Sequence, residues 1–505
     1  MFATSLTAAV VGVDAHLVRV EADTAPGFPK FTLVGLPDSA VRESQERIRA
    51  ALRNCGYGFK WDRRITVNLA PASLRKAGSS FDLAAAVGLL AADGSLSAGP
   101  LGGVLLVGEL ALDGAVRPVA GVLPMMLMAR QRGIRAAIVP AANGREARVV
   151  AGLDVYPVEA LPDAVALAGA DTRPPPPVIT PAPLPPTPTV PDLSDVRGQL
   201  LARRALEIAA AGGHNLLLTG PPGSGKTMLA RRLAGILPPL SLEEAIETTA
   251  THSAAGRPFD ALIGQRPFRA PHHTASDAAL VGGGPVPRPG EVSLAHNGVL
   301  FLDELPEFRR NVLETLRQPL EEGFVTVSRV RGTVRLPARF QLVAAMNLCP
   351  CGYGGSGSAG CRCTPRQVHA YRARISGPLL DRIDLLAEVP AIPYDEINGP
   401  PTEPSAAVAG RVMQARARQL DRLPATGART NAALEGAPLR EVAAADESGR
   451  RLLAAAVDRL GLTARAHDRV LRVARTLADL EGERRILGRY VAEALQFRRC
   501  GFDTA

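Results

Sequence analysis

The spacing of apolar residues predicts a mixed α/β region over residues 1–172. Short apolar runs of strand length alternate there with segments whose apolar positions recur every third or fourth residue. The predicted strands are Ala8–Val13, Phe31–Val34, Ile65–Leu69, Val104–Val107 and Ala137–Val139, and the predicted helices are Ser39–Asn54 and Phe81–Ala92. We therefore expect one α/β domain at the start of the chain.

Two proline-containing stretches divide the rest of the chain. Residues 173–191 read RPPPPVITPAPLPPTPTVP, which excludes a helix or a central strand and predicts an extended linker. Residues 192–397 again alternate strand and helix patterns, whereas only helical periodicity follows the NGPPTEPS stretch. Residues 398–505 are therefore predicted to form a helical domain, with helices over Ala406–Leu420, Gly449–Leu460 and Ala464–Leu480.

A phosphate-binding loop follows the first apolar strand of the region 192–397. The segment HNLLLTGPPGSGKTML runs from a strand through glycines into a helical pattern. Backbone amides of such a loop enclose phosphates, the Lys226 ammonium reaches the β and γ oxygens, and the Thr227 hydroxyl ligates Mg²⁺. The predicted ATP-binding residues are Gly220, Pro221, Pro222, Gly223, Ser224, Gly225, Lys226, Thr227 and Asp303.

Two further apolar strands end in polar residues that would complete a nucleotide site. The run VLFLDE ends in Asp303, predicted to share Mg²⁺ with Thr227, and in Glu304, predicted to orient or deprotonate the attacking water. The run LVAAMN ends in Asn347, either a sensor of the γ-phosphate or a turn-forming residue.

Two arginines are candidates for the cation that offsets charge developing on the γ-phosphoryl group. Arg382 lies in SGPLLDRID and Arg465 in TARAHDRVLRVAR. Because the chain is rich in arginine, spacing alone assigns neither role.

Composition indicates a protein of the cytoplasm and leaves its partner open. No apolar stretch is long enough to cross a membrane, and the first residues lack the pattern of a signal peptide. The formal net charge is +9, and residues 405–505 hold 18 Arg against 12 Asp and Glu. This excess suits a nucleic-acid partner and a solvated helical surface equally well.

Four of the six cysteines cluster in one glycine-rich segment. Cys349, Cys351, Cys361 and Cys363 form C-x-C-x₉-C-x-C, which predicts a structural zinc site bracing the segment after Asn347. Free thiols on a flexible loop and an iron–sulfur cluster are the alternatives. His272 and His273 have no second ligand pair nearby and are interpreted as polar loop residues or pore contacts.

Together, five motifs closely resemble the YifB/ComM family of magnesium-chelatase-like AAA+ proteins over nearly the whole chain. They are GPPGSGKT, PFRAPHHTAS, NGVLFLDELPEF, MNLCPCGYGG and SGPLLDRIDL. The resemblance implies an AAA+ P-loop core with a helix-2 insert within Phe268–Glu291, a hairpin over Phe324–Arg335, and a helical lid. It also implies a homo-hexamer in which Arg382 reaches a neighbour's ATP and Arg465 is a second sensor in the lid.

The same resemblance extends to the hairpin and to the first domain. Arg329, Arg331 and Arg335 become candidates for touching DNA in the ring pore, with a solvated hairpin edge as the alternative. Residues 1–172 resemble the ribosomal-S5-like fold of the Lon protease catalytic domain, with Ser80 at the nucleophile position. Leu123 stands where Lon has its lysine, so we expect a non-proteolytic derivative.

The resemblance implies an ATP-hydrolysing hexameric motor, acting as a DNA translocase or branch-migration helicase in recombination or in integrating transforming DNA. In that interpretation Glu304, Lys226, Asn347, Arg382 and Arg465 form the catalytic set. A chelatase-type motor that remodels a protein partner is the main alternative, and an ATP-switched scaffold is a non-enzymatic one. The sequence leaves open the preferred DNA structure, its polarity and any loading protein.

Overall fold

A computed structural model describes residues 1–74, 76, 78–177, 191–257, 259, 261–283, 287–329, 332–354, 360–397 and 399–498. Most of the predicted proline-rich linker and Arg331 lie outside these residues. No helix among the described residues has both the length and the apolar character needed to cross a bilayer.

A mixed sheet forms the centre of the first domain. Among the described residues it has seven strands in the order β3-β4-β2-β1-β5-β8-β9, and a two-residue ribbon, β6 and β7, stands apart. The strands are β1 Phe2–Val11, β2 Asp14–Ala25, β3 Lys30–Val34, β4 Arg64–Ala70, β5 Val104–Leu106, β6 Glu109–Leu110, β7 Val116–Arg117, β8 Ala136–Pro140 and β9 Asp154–Val158. The helices are α1 Ser39–Asn54, α2 Asp82–Ala92, α3 Val122–Gln131, α4 Gly144–Ala147 and α5 Leu161–Ala168.

Strand β2 is absent from the predicted strands. Its sequence DAHLVRVEADTA alternates buried apolar and exposed charged residues, so it contains no continuous apolar run. It pairs antiparallel with β1 over its whole length, from Phe2 opposite Asp23 to Val11 opposite Asp14. A tight turn at Gly12 and Val13 joins the two strands, so the paired strands are neighbours in the sequence.

The second region contains a five-stranded sheet whose strands are all parallel, in the order β11-β14-β17-β10-β18. Its strands and ribbons are β10 Leu216–Thr219, β11 Phe268–Arg269, β12 Gly282–Gly283, β13 Arg288–Pro289, β14 Val299–Leu302, β15 Phe324–Arg329, β16 Gly332–Pro337, β17 Gln341–Met346 and β18 Leu385–Glu388. Its helices are α6 Leu200–Gly212, α7 Lys226–Leu233, α8 Leu242–Ala254, α9 Asp277–Val281, α10 Glu291–Leu294, α11 Arg310–Thr315, α12 Arg317–Glu322, α13 Pro365–Arg372, α14 Gly377–Leu380 and α15 Tyr394–Ile397.

Two features of this region match elements that the resemblance implied. Helix α9 and the short ribbon β12–β13 lie within the expected insert Phe268–Glu291, before β14. Strands β15 and β16 form an antiparallel hairpin from Phe324 opposite Pro337 to Arg329 opposite Gly332. The hairpin leads directly into the central strand β17.

The last region is helical. Its helices are α16 Ser405–Asp421, α17 Leu423–Thr426, α18 Gly436–Val442, α19 Glu447–Leu460, α20 Ala464–Leu480 and α21 Gly488–Gln496. Their apolar faces share one core with the parallel sheet, which includes Leu216 and Val343 from the strands and Val473 and Leu477 from α20. The helical region therefore packs as a lid against the strand-containing core.

The first domain contacts the core at two places. Helix α3 packs against α8, and the Gly121 amide donates to the Ser253 carbonyl at 3.0 Å. The β1–β2 turn lies against hairpin strand β16, where Val11 and Val13 pack on the same cluster as Val334 and Leu336. The turn thus abuts the base of the hairpin.

Gly12 at this turn requires both a left-handed backbone and the absence of a side chain. Its φ is +69°, and an added Cβ would overlap Val334 Cγ1. Gly133 has a similar φ of +74° but open space around its Cα. Substitutions at the two glycines therefore distinguish the cost of backbone strain from the cost of steric overlap.

We expect Gly12→Ala to lower the apparent Tm by at least about 3 °C more than Gly133→Ala, because only Gly12 adds overpacking to the strain. Differential scanning calorimetry of both variants measures the difference. Equal shifts would show that the turn does not pack closely on the hairpin.

Candidate functional site

The phosphate-binding loop lies between β10 and α7 at the carboxyl end of the parallel sheet. Gly223 and Gly225 have φ values of +75° and +94°, and Gly225 directly precedes Lys226, the first residue of α7. A Cβ on Gly220 would overlap the Val389 carbonyl oxygen, so this position also excludes a side chain. The glycines therefore allow the loop to turn tightly into the amino terminus of α7, where phosphates bind favourably.

The ammonium of Lys226 is 8% exposed and lies inside the loop. It donates to the Gly220 and Pro221 carbonyls at 2.9 and 2.7 Å and to Asn347 Oδ1 at 3.1 Å. Burial lowers the pKa of this lysine, while Asp303 and Glu304 oppose the shift. The predicted phosphate ligand and the predicted sensor thus meet at one point.

Sheet register explains why Asn347 meets Lys226. Strands β10 and β17 are neighbours, with Thr219 opposite Met346, and the next residue of each strand is Gly220 and Asn347. Parallel strands end at the same sheet edge, so their carboxyl-terminal residues come together.

Thr227 and Asp303 form the second contact of the site. The Thr227 hydroxyl donates to Asp303 Oδ2 at 2.7 Å, and Asp303 Oδ1 accepts from the Glu304 amide at 3.0 Å. A hydroxyl and a carboxylate at this separation are oxygen donors that suit Mg²⁺. These two residues fit the predicted magnesium ligands.

Glu304 lies at the exposed rim, next to His273. Glu304 has a left-handed φ of +51°, and its side chain is 56% exposed. His273 Nδ1 lies 3.3 Å from Glu304 Oε2, so the loop that carries this histidine reaches the nucleotide site. Nothing in the sequence between the two residues indicates the contact, because the insert folds back onto the end of β14.

Gln199 is a site residue that the sequence analysis missed. It precedes α6 with a left-handed φ of +53°, and its side chain is buried. Its amide nitrogen donates to the Pro390 carbonyl at 2.7 Å and to the Ser224 carbonyl at 3.4 Å. A left-handed glutamine has no sequence signal, since its conformation is set by the loops it joins.

Among the described residues, neither candidate arginine forms a hydrogen bond or ion pair with the phosphate-binding loop of its own chain. Arg382 donates to the Pro378 carbonyl at 2.5 Å and forms an ion pair with Glu321 of α12. Arg465 is exposed in the first turn of α20. The structure therefore joins neither to Lys226, Thr227, Asp303 or Asn347.

Of the three predicted DNA-contact residues, the structure describes the side chain of Arg335 alone. Its guanidinium stacks on the Phe324 ring, 3.6 Å from the centroid, across the two strands of the hairpin. Arg329 ends β15, and Arg331 lies outside the described residues.

The four clustered cysteines come together as a potential metal centre. Their sulfur atoms all lie within 4.8 Å of one another. Cys349 Sγ is 3.3 Å from Cys351 Sγ and 3.8 Å from Cys361 Sγ, and Cys351 Sγ is 3.7 Å from Cys361 Sγ. Hydrogen bonds from the Tyr353 amide and from neighbouring thiols lower the pKa of Cys351 to about 6.

The cysteine segment also contacts the phosphate-binding loop. A Cβ on Gly352 would lie 2.5 Å from Pro222 Cγ, so the two backbones approach closely here. Because Cys349 follows Asn347 by two residues, the cluster is adjacent to both the sensor and the loop.

The Lon-like positions of the first domain are buried. Ser80 is 8% exposed, and Leu123 is fully buried in an apolar cluster. Lys76 is also fully buried and donates to the Pro71 carbonyl.

Comparisons with known families cover all three regions. The family profile described as "Subunit ChlI of Mg-chelatase" matches residues 20–143, "Magnesium chelatase, subunit ChlI" matches 192–397, and "Magnesium chelatase, subunit ChlI C-terminal" matches 402–498. The fold is thus an AAA+ P-loop core with an insert and a helical lid, preceded by a Lon-like α/β domain.

Individual relatives match over nearly the whole chain. Competence protein ComM of Haemophilus influenzae is 46% identical over 97% of this chain and 96% of its own length. YifB of Escherichia coli is 45% identical over 97% and 96%. Lon protease of Escherichia coli is 29% identical over 33% of this chain and 22% of its own length. The chain belongs to the ComM/YifB family of magnesium-chelatase-like AAA+ ATPases.

Proposed function

We propose that the protein is a homo-hexameric, ATP-driven motor that moves along DNA and drives branch migration during recombination. One observation carries this proposal: an arginine-bearing hairpin, β15–β16, is joined by the three residues 338–340 to β17, the strand that directly precedes Asn347 in the nucleotide site. A change at the γ-phosphate can therefore reach the hairpin through β17 and this short connection. Such a motor would work in the cytoplasm, where ATP and chromosomal DNA are both accessible.

The ATP-hydrolysing half of the proposal assigns a role to each residue of the site. Lys226 binds the β- and γ-phosphates. Asn347 contacts both Lys226 and the γ-phosphate and so fixes their positions relative to each other. Glu304 orients the attacking water and accepts its proton. Mg²⁺, held by Thr227 and Asp303, would neutralise charge on the phosphates when bound.

The hexamer is supported by the positions of Arg382 and Arg465. Neither contacts the phosphate-binding loop of its own chain, and Arg382 instead contacts α12 and the start of α14. Since phosphoryl transfer calls for a cation at the γ-phosphate, we propose that a neighbouring subunit supplies Arg382. Arg465 would instead act from the lid of the subunit that binds the ATP.

The relative named competence protein ComM supports DNA as the substrate, since competence is the capacity to take up DNA. The descriptions of the family profiles name magnesium chelatase, which favours the alternative that the motor remodels a protein partner. The alignment with ComM extends through the Lon-like domain, which favours DNA. The response of the ATPase to DNA decides between the two.

For the cysteine cluster we propose zinc. A tetrahedral site with Zn–S distances of about 2.3 Å requires sulfur–sulfur separations of about 3.8 Å. Two of the three measured separations are 3.7 and 3.8 Å. The metal would brace the segment that packs on Pro222 and would take no part in hydrolysis.

Lys226→Ala and Glu304→Gln should fail at different steps. We expect Lys226→Ala to abolish binding of a fluorescent ATP analogue, because the phosphates lose their buried cation. Glu304→Gln should bind the analogue but hydrolyse ATP at least about 100-fold more slowly, because the general base is gone. Glu322→Gln is the matched carboxylate control. Normal turnover by Glu304→Gln would remove Glu304 from catalysis.

A synthetic four-way DNA junction tests the motor directly. We expect ATP-dependent dissociation of the junction, DNA-stimulated ATPase, and loss of both in Lys226→Ala. Arg329→Ala should lose junction dissociation while keeping its basal ATPase, whereas Arg429→Ala, in an exposed ion pair with Glu243, should keep both activities. Robust ATPase activity that does not change when DNA is added would favour a motor that remodels a protein partner.

Metal analysis tests the cysteine centre. We expect about one zinc per chain by elemental analysis, since four thiolates saturate one tetrahedral site. Cys361→Ser should lose the zinc and reduce ATPase activity, while Cys55→Ser, far from the cluster in sequence, should keep both. Purified protein with four freely reactive thiols in the cluster would contradict zinc, and bound iron would indicate an iron–sulfur cluster.

A further inference from the structure

Arg469, a buried arginine of lid helix α20, hydrogen-bonds to residues on both sides of Arg382. Arg469 is 3% exposed. Its Nη2 donates to Asp381 Oδ1 at 2.9 Å, and its Nη1 lies 3.4 Å from the carbonyl oxygens of Leu380 and Ile383. A guanidinium that is buried and shared among three acceptors holds them in a fixed arrangement.

Further contacts tie the same segment to the lid. Arg498 donates to the Ile383 carbonyl at 3.1 Å. Asp384 Oδ2 lies 3.3 Å from His214 Nδ1, and His214 Nε2 lies 2.8 Å from Thr476 Oγ1 of α20. The backbone that bears Arg382 is therefore fastened to the lid.

The side chain of Arg382 contacts the strand-containing core, whereas the backbone around it contacts the lid. Its guanidinium contacts Glu321 and the Pro378 carbonyl, so its own hydrogen bonds are with the strand-containing core. Asn215 of the core donates to the Arg382 carbonyl at 2.8 Å. A shift of α20 would consequently act on Arg382 from its amino-terminal side, through Asp381 and the Leu380 carbonyl.

Helix α20 also carries Arg465, four residues before Arg469. Arg469 Nε donates to the Arg465 carbonyl at 3.2 Å. Arg465, the candidate sensor of a subunit's own nucleotide, and Arg469, which holds the segment bearing Arg382, thus lie on consecutive turns of one helix. Arg382 is the residue that the subunit offers to its neighbour.

We propose that Arg469 and Asp381 are a positioning pair that transmits the nucleotide-dependent position of the lid to Arg382. Through this pair, ATP bound in one subunit sets whether that subunit's Arg382 is aligned for the neighbouring site. The inference rests on the proposed hexamer and adds to it a route for communication between successive sites.

Asp381 is the residue to change, because its side chain is 43% exposed. Asn at this position keeps a side-chain oxygen that can accept from the buried Arg469, so Asp381→Asn removes the charge but not the acceptor and should leave the protein folded. Glu435→Gln is the control: it removes an exposed partner of Arg472 on the same helix and leaves the 380–384 segment untouched.

In the homomeric Asp381→Asn protein we expect kcat to fall at least about tenfold, because Arg382 loses its alignment. The affinity for a fluorescent ATP analogue should stay within about twofold of wild type, since the variant's own binding loop is intact. Glu435→Gln should match wild type in both. A fall in affinity that parallels kcat would overturn the inference, because it would indicate a general loss of structure.

Mixed rings test the direction of the effect. Asp381→Asn subunits keep an intact ATP site, and Glu304→Gln subunits bind ATP without hydrolysing it and keep an intact Arg382. Mixing the two impaired proteins should restore ATPase activity at interfaces where a Glu304→Gln subunit serves an Asp381→Asn site. A mixture that stays inactive would show that Asp381 acts on its own site and would overturn the inference.

Mixing Arg382→Ala with Glu304→Gln separates this inference from the proposed function. Recovery there, without recovery in the Asp381→Asn mixture, would refute the positioning pair and leave the ring intact. Absence of recovery in both would refute the proposed sharing of Arg382 between subunits, and the positioning pair with it.

Discussion

The hydrogen bond between Lys226 and Asn347 depends on the parallel register of β10 and β17, and the rest of the site is arranged around it. The register sets Thr219 opposite Met346, so the lysine loop and the sensor amide leave the sheet side by side. Asp303 leaves the next strand, β14, at the same edge and meets Thr227. A one-residue slip of β17 would turn Asn347 to the other face of the sheet and separate it from the buried ammonium.

The same strand connects the site to distant parts of the molecule. Upstream of β17 lies the hairpin β15–β16, whose base contacts the β1–β2 turn of the Lon-like domain at Gly12. Downstream lies the cysteine segment, whose Gly352 packs on Pro222. The Lon-like domain, in which Leu123 stands at the Lon lysine position, therefore has a structural role that needs no peptidase chemistry: it supports the hairpin from outside the nucleotide site.

Sequence patterns predicted the elements that depend on local periodicity and failed where tertiary contacts decide. Helix α20 begins and ends at the predicted residues, and the phosphate-binding loop lies between a strand and a helix, as its motif requires. Strand β2 was missed although its alternation of charged and buried residues is typical of a half-buried strand, because only continuous apolar runs were assigned as strands. The contact of His273 with Glu304 was not predicted, because the path of the insert depends on packing against β14. Gln199 has a left-handed backbone that its residue type does not indicate.

Charge composition was a weak guide to the partner, and the lid shows why. Much of its arginine excess is used inside the protein: Arg475 is buried against Asp479 at 3.0 Å, Arg422 pairs with the same carboxylate at 2.5 Å, and Arg469 holds Asp381. Such arginines contribute to the net charge but present little of it to a polyanion. The proposal of a DNA substrate therefore rests on the hairpin and on the relatives rather than on the basic lid. Within the lid, Arg469 joins α20 to the segment that bears Arg382, and the proposed communication between subunits rests on that contact.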